Sequence, residues 1–134
     1  MEEWRAERVA LTLMLWLYEN KRISLKKLQE SLFSFALYDL RRFANFNSKT
    51  LRPYIISAID TYNIYEKVGY LKFVNNKLIV NKNQTLEVLK LFKKDLEFML
   101  KAIVDNNSSI VTKLLNKAEK QGNLVNLLVN TLSK

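Results

Sequence analysis

The chain has 134 residues, of which 49% are hydrophobic, and this is enough for one compact domain with a buried core. Because the sequence contains neither cysteine nor histidine, disulfides and thiolate or imidazole metal sites are excluded, and we expect no metal ion and no cofactor. The formal net charge of +9 favours a polyanionic partner, above all nucleic acid.

The first helix is expected over residues 2–19, since apolar side chains recur there at helical spacing. Its core contacts are expected to include Trp4, Val9, Leu13, Trp16 and Leu17. Ser24 is a typical N-cap for a second helix, whose apolar stripe runs through Leu25, Leu28, Leu32 and Ala36. The sequence leaves open whether residues 24–46 form one helix or two helices broken near Ser34.

A third helix is expected over residues 50–65, with Thr50 as its cap and Pro53 in its first turn. At 100° per residue, one side of this helix collects Leu51, Ile55, Ala58, Ile59 and Tyr62. A row of hydroxyl groups falls roughly opposite, on Thr50, Tyr54, Ser57 and Thr61. We expect this row to be exposed and to contact phosphates or base edges in a major groove.

Residues 70–80 change from helical to alternating spacing and predict a β-hairpin. Its turn is Asn75-Asn76, since asparagine tolerates the positive φ of a type I′ turn. Pairing across this turn places Leu71, Phe73, Leu78 and Val80 on one face and Lys72 and Lys77 on the other, with Val74 and Ile79. The first face can therefore pack on helices while the face with the lysines meets solvent or a ligand.

Two further helices are expected after the hairpin. The first begins at Asn83 or Thr85 and ends near Val104, and the second covers residues 110–132 unless Gly122 splits it. The first carries a heptad seam formed by Leu89, Phe92, Leu96, Met99 and Ile103. We expect this seam to form a homodimer that sets two recognition helices roughly 34 Å apart, and packing onto the first helix is the alternative.

The order of helices, hairpin and long helix resembles that of winged helix-turn-helix DNA-binding proteins, of the kind found in archaeal viruses and plasmids. The resemblance is one of pattern and is closest over residues 49–82, although residues 24–46 are longer than the family's corresponding segment. It implies a mostly α fold with one β-hairpin, a recognition helix at 50–65 and a wing at 70–80. The expected parts are a winged-helix nucleic-acid-binding domain (1–82) and a C-terminal helical region for dimerisation or packing (83–134).

Basic residues concentrate in the same region, because residues 20–82 contain twelve basic and four acidic side chains and so carry +8 of the net charge. We expect Lys72, Lys77 and Lys82 to hold phosphates, and Lys49 and Arg52 to join the hydroxyl row in contacting DNA. Arg41 and Arg42 form a rival reading element if they lie on a separate short helix. Neighbouring aromatic residues have the helical spacing of core side chains: Phe33, Phe35, Tyr38, Phe43 and Phe46.

We therefore expect a sequence-specific double-stranded DNA-binding protein, a transcriptional regulator or a DNA-organising factor. An enzyme is not expected, since the sequence has no Gly-rich phosphate loop and no nucleophile paired with a histidine or cysteine. The alternative is a helical interaction protein, such as a ribonucleoprotein subunit or an inhibitor, whose charge serves RNA or an acidic protein surface. The chain starts with acidic residues, and its apolar run, residues 10–18, is shorter than the about 20 apolar residues that a bilayer span needs. These features predict a cytoplasmic protein without a membrane segment.

Overall fold

The structure is a computed structural model that describes residues 2–133, and this part of the chain forms six α-helices and one β-hairpin. The helices are α1 (Glu2–Glu19), α2 (Leu25–Ala44), α3 (Arg52–Val68), α4 (Thr85–Val104), α5 (Ser108–Glu119) and α6 (Asn123–Leu132). Strands β1 (Leu71–Val74) and β2 (Lys77–Val80) follow α3, and a 3₁₀ turn (Lys82–Gln84) leads into α4. The predicted class, mostly helical with one β-hairpin, is confirmed.

The second predicted helix is one continuous helix, α2, so the question that the sequence left open is answered. Ser24 caps it as predicted, since its Oγ accepts a hydrogen bond from the backbone N–H of Lys27 at 3.1 Å. Ser34 lies on the exposed side of α2 and does not interrupt it. Arg41 and Arg42 are therefore in the last turn of α2 rather than on a separate helix.

The central helix of the fold is α3, which contacts α1, α2, α4, α5 and α6. Its buried side chains cover most of its circumference: Ile55, Ser57, Ala58, Ile59, Thr61, Tyr62, Ile64 and Tyr65. The predicted row of exposed hydroxyls is thus wrong at Ser57 and Thr61, which are fully buried. The reason is that α1 supplies polar partners for both, because Ser57 donates to Glu7 and Thr61 accepts from Arg8 Nη1 at 2.9 Å.

The inward face of α1 also differs from the prediction. Trp4 is buried as expected, but Val9, Leu13 and Trp16 are each about half exposed. The buried stripe instead consists of Trp4, Arg8, Leu11 and Leu15. A buried arginine lies at its centre because α3 and α4 offer that side chain hydrogen-bond partners and an aromatic ring.

The start of α3 borders the candidate site, and its end borders the hairpin. Thr50 does not cap the helix as predicted; the N-cap is Leu51, and Ser48 Oγ accepts from the Leu51 N–H at 3.3 Å. Pro53 occupies the first turn as predicted. At the other end Gly69 adopts φ 80°, a left-handed conformation that glycine reaches without strain, and the chain turns directly into β1.

The hairpin has the predicted register. Leu71 pairs with Val80 and Phe73 with Leu78, and the turn residues Asn75 and Asn76 have φ of 51° and 61°, as a type I′ turn requires. Leu71 is fully buried, and β1 contacts α3 and α6. Lys72 and Lys77 are exposed on the outer face, as expected.

The heptad seam of α4 packs within the chain. Leu89, Phe92, Leu96 and Met99 are buried, chiefly where α4 packs on α1, and only Ile103 is substantially exposed. The prediction that these side chains form a homodimer interface is therefore wrong at those four positions, and the alternative, packing on the first helix, is what the structure shows. The apolar seam requires a partner, and α1 supplies one inside the same chain.

The C-terminal helix is split, as the presence of Gly122 allowed, and the break spans residues 120–122. Residues on both sides of the expected boundary at residue 82 share one core, to which α6 contributes Leu124, Val125 and Leu128. Helix α6 packs on α2, α3 and β1. Across residues 2–133, no helix combines the length and the apolarity needed to cross a membrane.

Candidate nucleic-acid interface

An open cleft lies where the end of α2 meets the start of α3. It has a volume of about 480 Å³ and is lined by Tyr38, Arg41, Arg42, Asn45, Leu51 and Tyr54, which we call the arginine–tyrosine cleft. The sequence predicts Tyr54 on the reading helix at 50–65 and Arg41 and Arg42 on a rival reading element. The structure brings both candidates into the same concave surface.

The outer wall of this cleft is a stacked pair on α2. The Arg41 guanidinium carbon lies 3.7 Å from the centroid of the Tyr38 ring, within the range of a strong cation–π contact. Tyr38 is 52% exposed, and Arg41 forms no ion pair with the residues that the structure describes. The Arg41 guanidinium therefore has no ion-pair partner among the described residues and is positioned by the Tyr38 ring.

Arg42 has a different role, because the carboxylates of Glu7 and Asp39 balance its charge. Its Nη1 contacts Glu7 and lies 2.9 Å from Asp39 Oδ1, and the same atom reaches the Tyr54 carbonyl at 3.4 Å. Its guanidinium also lies 5.1 Å from the centroid of the Tyr54 ring. Arg42 thus connects α1, α2 and α3 under the cleft and holds Tyr54 in place.

Asp39 is the buried acid of this network and is fully inaccessible. Burial, together with the neighbouring Glu7, raises the pKa of Asp39 to about 7 despite the opposing effects of Arg42, Arg8 and Arg41. The contact with Arg42 is an ion pair without hydrogen-bond geometry, since neither carboxylate oxygen accepts a hydrogen bond from the described residues. A carboxyl group with a pKa of about 7 is therefore buried beside Arg42, one of the residues that line the cleft.

Three more predicted residues lie around the connection between α2 and α3. Lys49 and Thr50 are exposed, and Arg52 is half-buried with its guanidinium 5.6 Å from the centroid of the Phe46 ring. Together with Arg41 they surround the N-terminal turn of α3 with positive charge. Ser57 and Thr61 are not part of this surface, because both are buried against α1.

The hairpin lysines form a second basic group elsewhere on the surface. Lys82 lies beside the start of α2, where its carbonyl accepts from Gln29 Nε2 at 3.4 Å, and Lys72 and Lys77 are exposed on the adjacent hairpin. Since Gln29 and Arg41 are twelve residues apart on α2, Lys82 and Arg41 are separated by about 18 Å along the helix axis. The predicted contact residues therefore form two groups rather than one.

Sequence reasoning missed Tyr38, Asn45 and Leu51 as components of the site. Tyr38 was assigned to the core by its helical spacing, yet it is exposed. One signal was present in the sequence: Tyr38 and Arg41 are three residues apart, a spacing at which helix side chains touch. Asn45 follows Tyr38 by seven residues, a spacing that puts both on one side of a helix, whereas no local signal relates Leu51 to Tyr38.

In residues 2–133, no group of three or more acidic side chains is arranged to hold a metal ion. No protein-family model, no curated protein and no solved structure matches this chain.

Proposed function

We propose that this protein binds double-stranded DNA in a sequence-specific manner and that the outer face of α2, ending in the arginine–tyrosine cleft, is the surface that reads it. The observation that carries the proposal is the exposed Arg41 guanidinium stacked 3.7 Å from the Tyr38 ring centroid. A guanidinium held over a ring face leaves N–H groups available for a bidentate contact with guanine or phosphate. Such a group loses little side-chain freedom on binding.

The shape of α2 supports this role. Its exposed stripe carries Lys27, Ser34, Tyr38, Arg41 and Asn45, which fall on one side at 100° per residue. A helix with side chains is about 10–12 Å wide, and the major groove is about 12 Å wide. The middle of α3 is surrounded by other helices, so α3 contributes its first turn while α2 takes the reading role.

The basic groups at the two ends of α2 would hold phosphates on either side of that contact. Lys49 and Arg52 lie between the end of α2 and the first turn of α3, whereas Lys82 lies beside the start of α2 and Lys72 and Lys77 are exposed on the hairpin. This arrangement retains the wing of the winged helix-turn-helix resemblance as a phosphate clamp. It differs from the pattern that the resemblance implies, because the reading helix is α2 rather than α3.

Replacing Arg41 with alanine is expected to weaken binding to a preferred duplex by about 1–3 kcal/mol and to flatten the preference between sequences. Replacing Lys72 and Lys77 together is expected to weaken binding to all duplexes equally and to reduce the log–log salt slope by about 0.9 per lost phosphate contact. Fluorescence anisotropy on a duplex selected from a random pool measures both. The matched control is Lys94→Ala, which removes one exposed lysine from α4.

Binding that is insensitive to salt, or equal losses for Arg41→Ala and Lys94→Ala, would contradict the proposal. Tighter binding to single-stranded RNA than to any duplex would instead support a ribonucleoprotein subunit. The selected duplex, its single strands and an RNA of the same sequence are therefore titrated side by side.

We also propose that the homodimer expected from the sequence forms through α1 rather than α4. The exposed side of α1 carries Ala6, Val9, Leu13 and Trp16 at spacings of 3, 4 and 3 residues, and the three larger side chains are 49%, 54% and 50% exposed in that order. Such an apolar stripe on a helix favours burial against a partner. Two antiparallel copies of α1 would pair Trp16 with Ala6 and Leu13 with Val9, a large side chain against a smaller one each time.

Charge complementarity favours the same arrangement. Glu2 and Glu3 lie in the first turn of α1, and Lys21 and Arg22 follow its last turn. An antiparallel pair brings the acidic start of each helix beside the basic end of the other, and the helix dipoles are then also favourably opposed. The two-fold symmetry of the pair uses the same residues on both copies, as in most homodimers.

Changing Leu13 to lysine is expected to convert the dimer into a monomer, because it introduces two charges at the centre of the proposed interface. Sedimentation equilibrium at micromolar to tens of micromolar protein measures this. Phe98→Lys is the matched control, since Phe98 is an equally exposed apolar side chain on α4. A monomeric wild-type protein, or a dimer that dissociates with Phe98→Lys but not with Leu13→Lys, would rule out the α1 interface.

A further inference from the structure

A second cavity lies between α1, α3, α4 and α5 and is separate from the arginine–tyrosine cleft. Its volume is about 360 Å³, which is within the usual range for small-molecule sites. At 100° per residue, its α3 residues Arg52, Pro53 and Ile56 lie on the side of the helix opposite Leu51 and Tyr54, which line the cleft. The first turn of α3 therefore separates two different concave surfaces.

The walls of this second cavity are mostly apolar. Side chains from four helices contribute, namely Trp4, Pro53, Ile56, Met99, Leu114 and Ala118. Trp4, Met99 and Ala118 are almost completely buried, so they belong to the packed part of the fold. An apolar body that entered between these walls would be removed from water at a gain of roughly 25 cal/mol per Å² of its apolar surface.

The charged residues of the cavity are divided between its two ends. Lys49 and Arg52 line one end, and Asp60 and Asp95 line the other with Lys117. Because Asp60 follows Arg52 by eight residues on α3, the ends are about 12 Å apart along the helix axis. The cavity is therefore bipolar, with an apolar middle.

The two ends differ in how their charges are compensated. Asp60 accepts from Trp4 Nε1 at 2.6 Å and is paired with Arg8, and Lys117 lies near both Asp60 and Asp95 in an adjoining smaller cavity. Asp95 is half-buried, and this burial raises the pKa of its carboxyl group. Lys49 and Arg52 form no ion pair with any residue that the structure describes. The uncompensated charge of the cavity is thus positive and is located at the Lys49–Arg52 end.

We infer that this cavity is a binding site for a small molecule with an apolar body and one anionic group, and that Lys49 and Arg52 bind the anion. The apolar walls receive the body of the molecule, and the far end, where Arg8 and Lys117 balance the carboxylates, offers no free cation for a second negative charge. A monoanion about 12 Å long, such as a medium-chain carboxylate, matches both the length and the charge distribution. This ligand site requires no nucleic acid and does not depend on the DNA-binding proposal.

The test uses 8-anilinonaphthalene-1-sulfonate, a fluorescent probe that joins an aromatic body to one sulfonate. Saturable binding to one site is expected, with affinity lowered at least about tenfold, or 1.4 kcal/mol, in the double variant Lys49→Glu/Arg52→Glu. Ala118→Phe, which fills the cavity from α5, is expected to lower it comparably. The control Lys94→Glu/Lys113→Glu changes the net charge equally at two exposed lysines that do not line the cavity, and it is expected to bind the probe as the wild type does.

Competition identifies the ligand chemistry. Decanoate is expected to displace the probe at least about tenfold more effectively than decanol, since only the carboxylate engages Lys49 and Arg52. Far-UV circular dichroism and the urea midpoint check that each variant is folded, and if Ala118→Phe does not fold, the charge variants decide. Three results would overturn the inference: no saturable probe binding by the wild type, equal binding by both charge variants, or equal displacement by decanol and decanoate.

Discussion

Replacing Arg8 with methionine is expected to lower the free energy of unfolding by about 3 kcal/mol, because it leaves a partly buried carboxylate without its cation. The Arg8 side chain is completely inaccessible. It donates to the Thr61 hydroxyl at 2.9 Å and to Asp60, and its guanidinium lies 4.2 Å from the centroid of the Phe92 ring. Methionine retains much of the stem, so the loss reports the polar contacts rather than a cavity.

Urea unfolding followed by far-UV circular dichroism measures this change. The matched control is Arg5→Met on the same helix, where the ion pair with Glu2 is on the surface and its loss is expected to leave the free energy of unfolding almost unchanged. Adding Asp60→Asn to the Arg8 variant is expected to recover more than half of the loss, since the unpaired charge is then removed. Equal effects of Arg8→Met and Arg5→Met would show that the buried network does not stabilise the fold.

Asp39 is expected to make the protein less stable as the pH rises from about 4 to about 7. Its pKa is raised from 3.8 to about 7 in the folded state, so the folded protein binds this proton more tightly than the unfolded chain does. The stabilisation by the protonated carboxyl is complete below the unfolded pKa and is lost as the pH rises through the folded pKa. The free energy of unfolding falls by up to about 1.4 kcal/mol per pH unit within that window.

Asp39→Asn is expected to remove this dependence and to be more stable than the wild type above pH 7, because an amide resembles the protonated acid. The comparison isolates Asp39 from Asp95, whose pKa is also raised by burial and which titrates in both proteins. Urea midpoints across the pH range give the two profiles. Glu30→Gln, an exposed acid on the same helix, is the control and should leave the slope unchanged. Parallel profiles for wild type and Asp39→Asn would refute the assignment.

The balance between Arg42 and its two acids also bears on the cleft. Glu7 and Asp39 hold Arg42 beneath Tyr54, so Arg42 contributes position while Arg41 contributes free charge. Since an ion pair already satisfies Arg42, the reading contact of the proposed DNA-binding surface rests on Arg41. The proposed ligand site lies on the other side of the same helical turn and relies on Arg52 and Lys49.

Features that depend on near neighbours in the chain were predictable from the amino-acid sequence. The hairpin follows from Asn75 and Asn76, which tolerate positive φ, together with alternating side chains on either side. The start of α2 follows from the Ser24 cap, and the end of α3 from Gly69. The longest of these signals, the hairpin pattern, spans residues 71–80, so no distant partner is needed to interpret them.

Which helix faces are buried, and which residues contact one another, depends on elements that are distant in the sequence. The more apolar stripe of α1, with Leu13 and Trp16, remains exposed, because the stripe containing Arg8 finds Asp60 and Thr61 on α3. The seam of α4 was evident from its spacing, but spacing does not specify whether the partner is α1 or a second copy. The arginine–tyrosine cleft needs α2 and α3 side by side, and the polar partners that place them there are distant in sequence. Burial energy depends on such partners, and periodicity alone does not contain them.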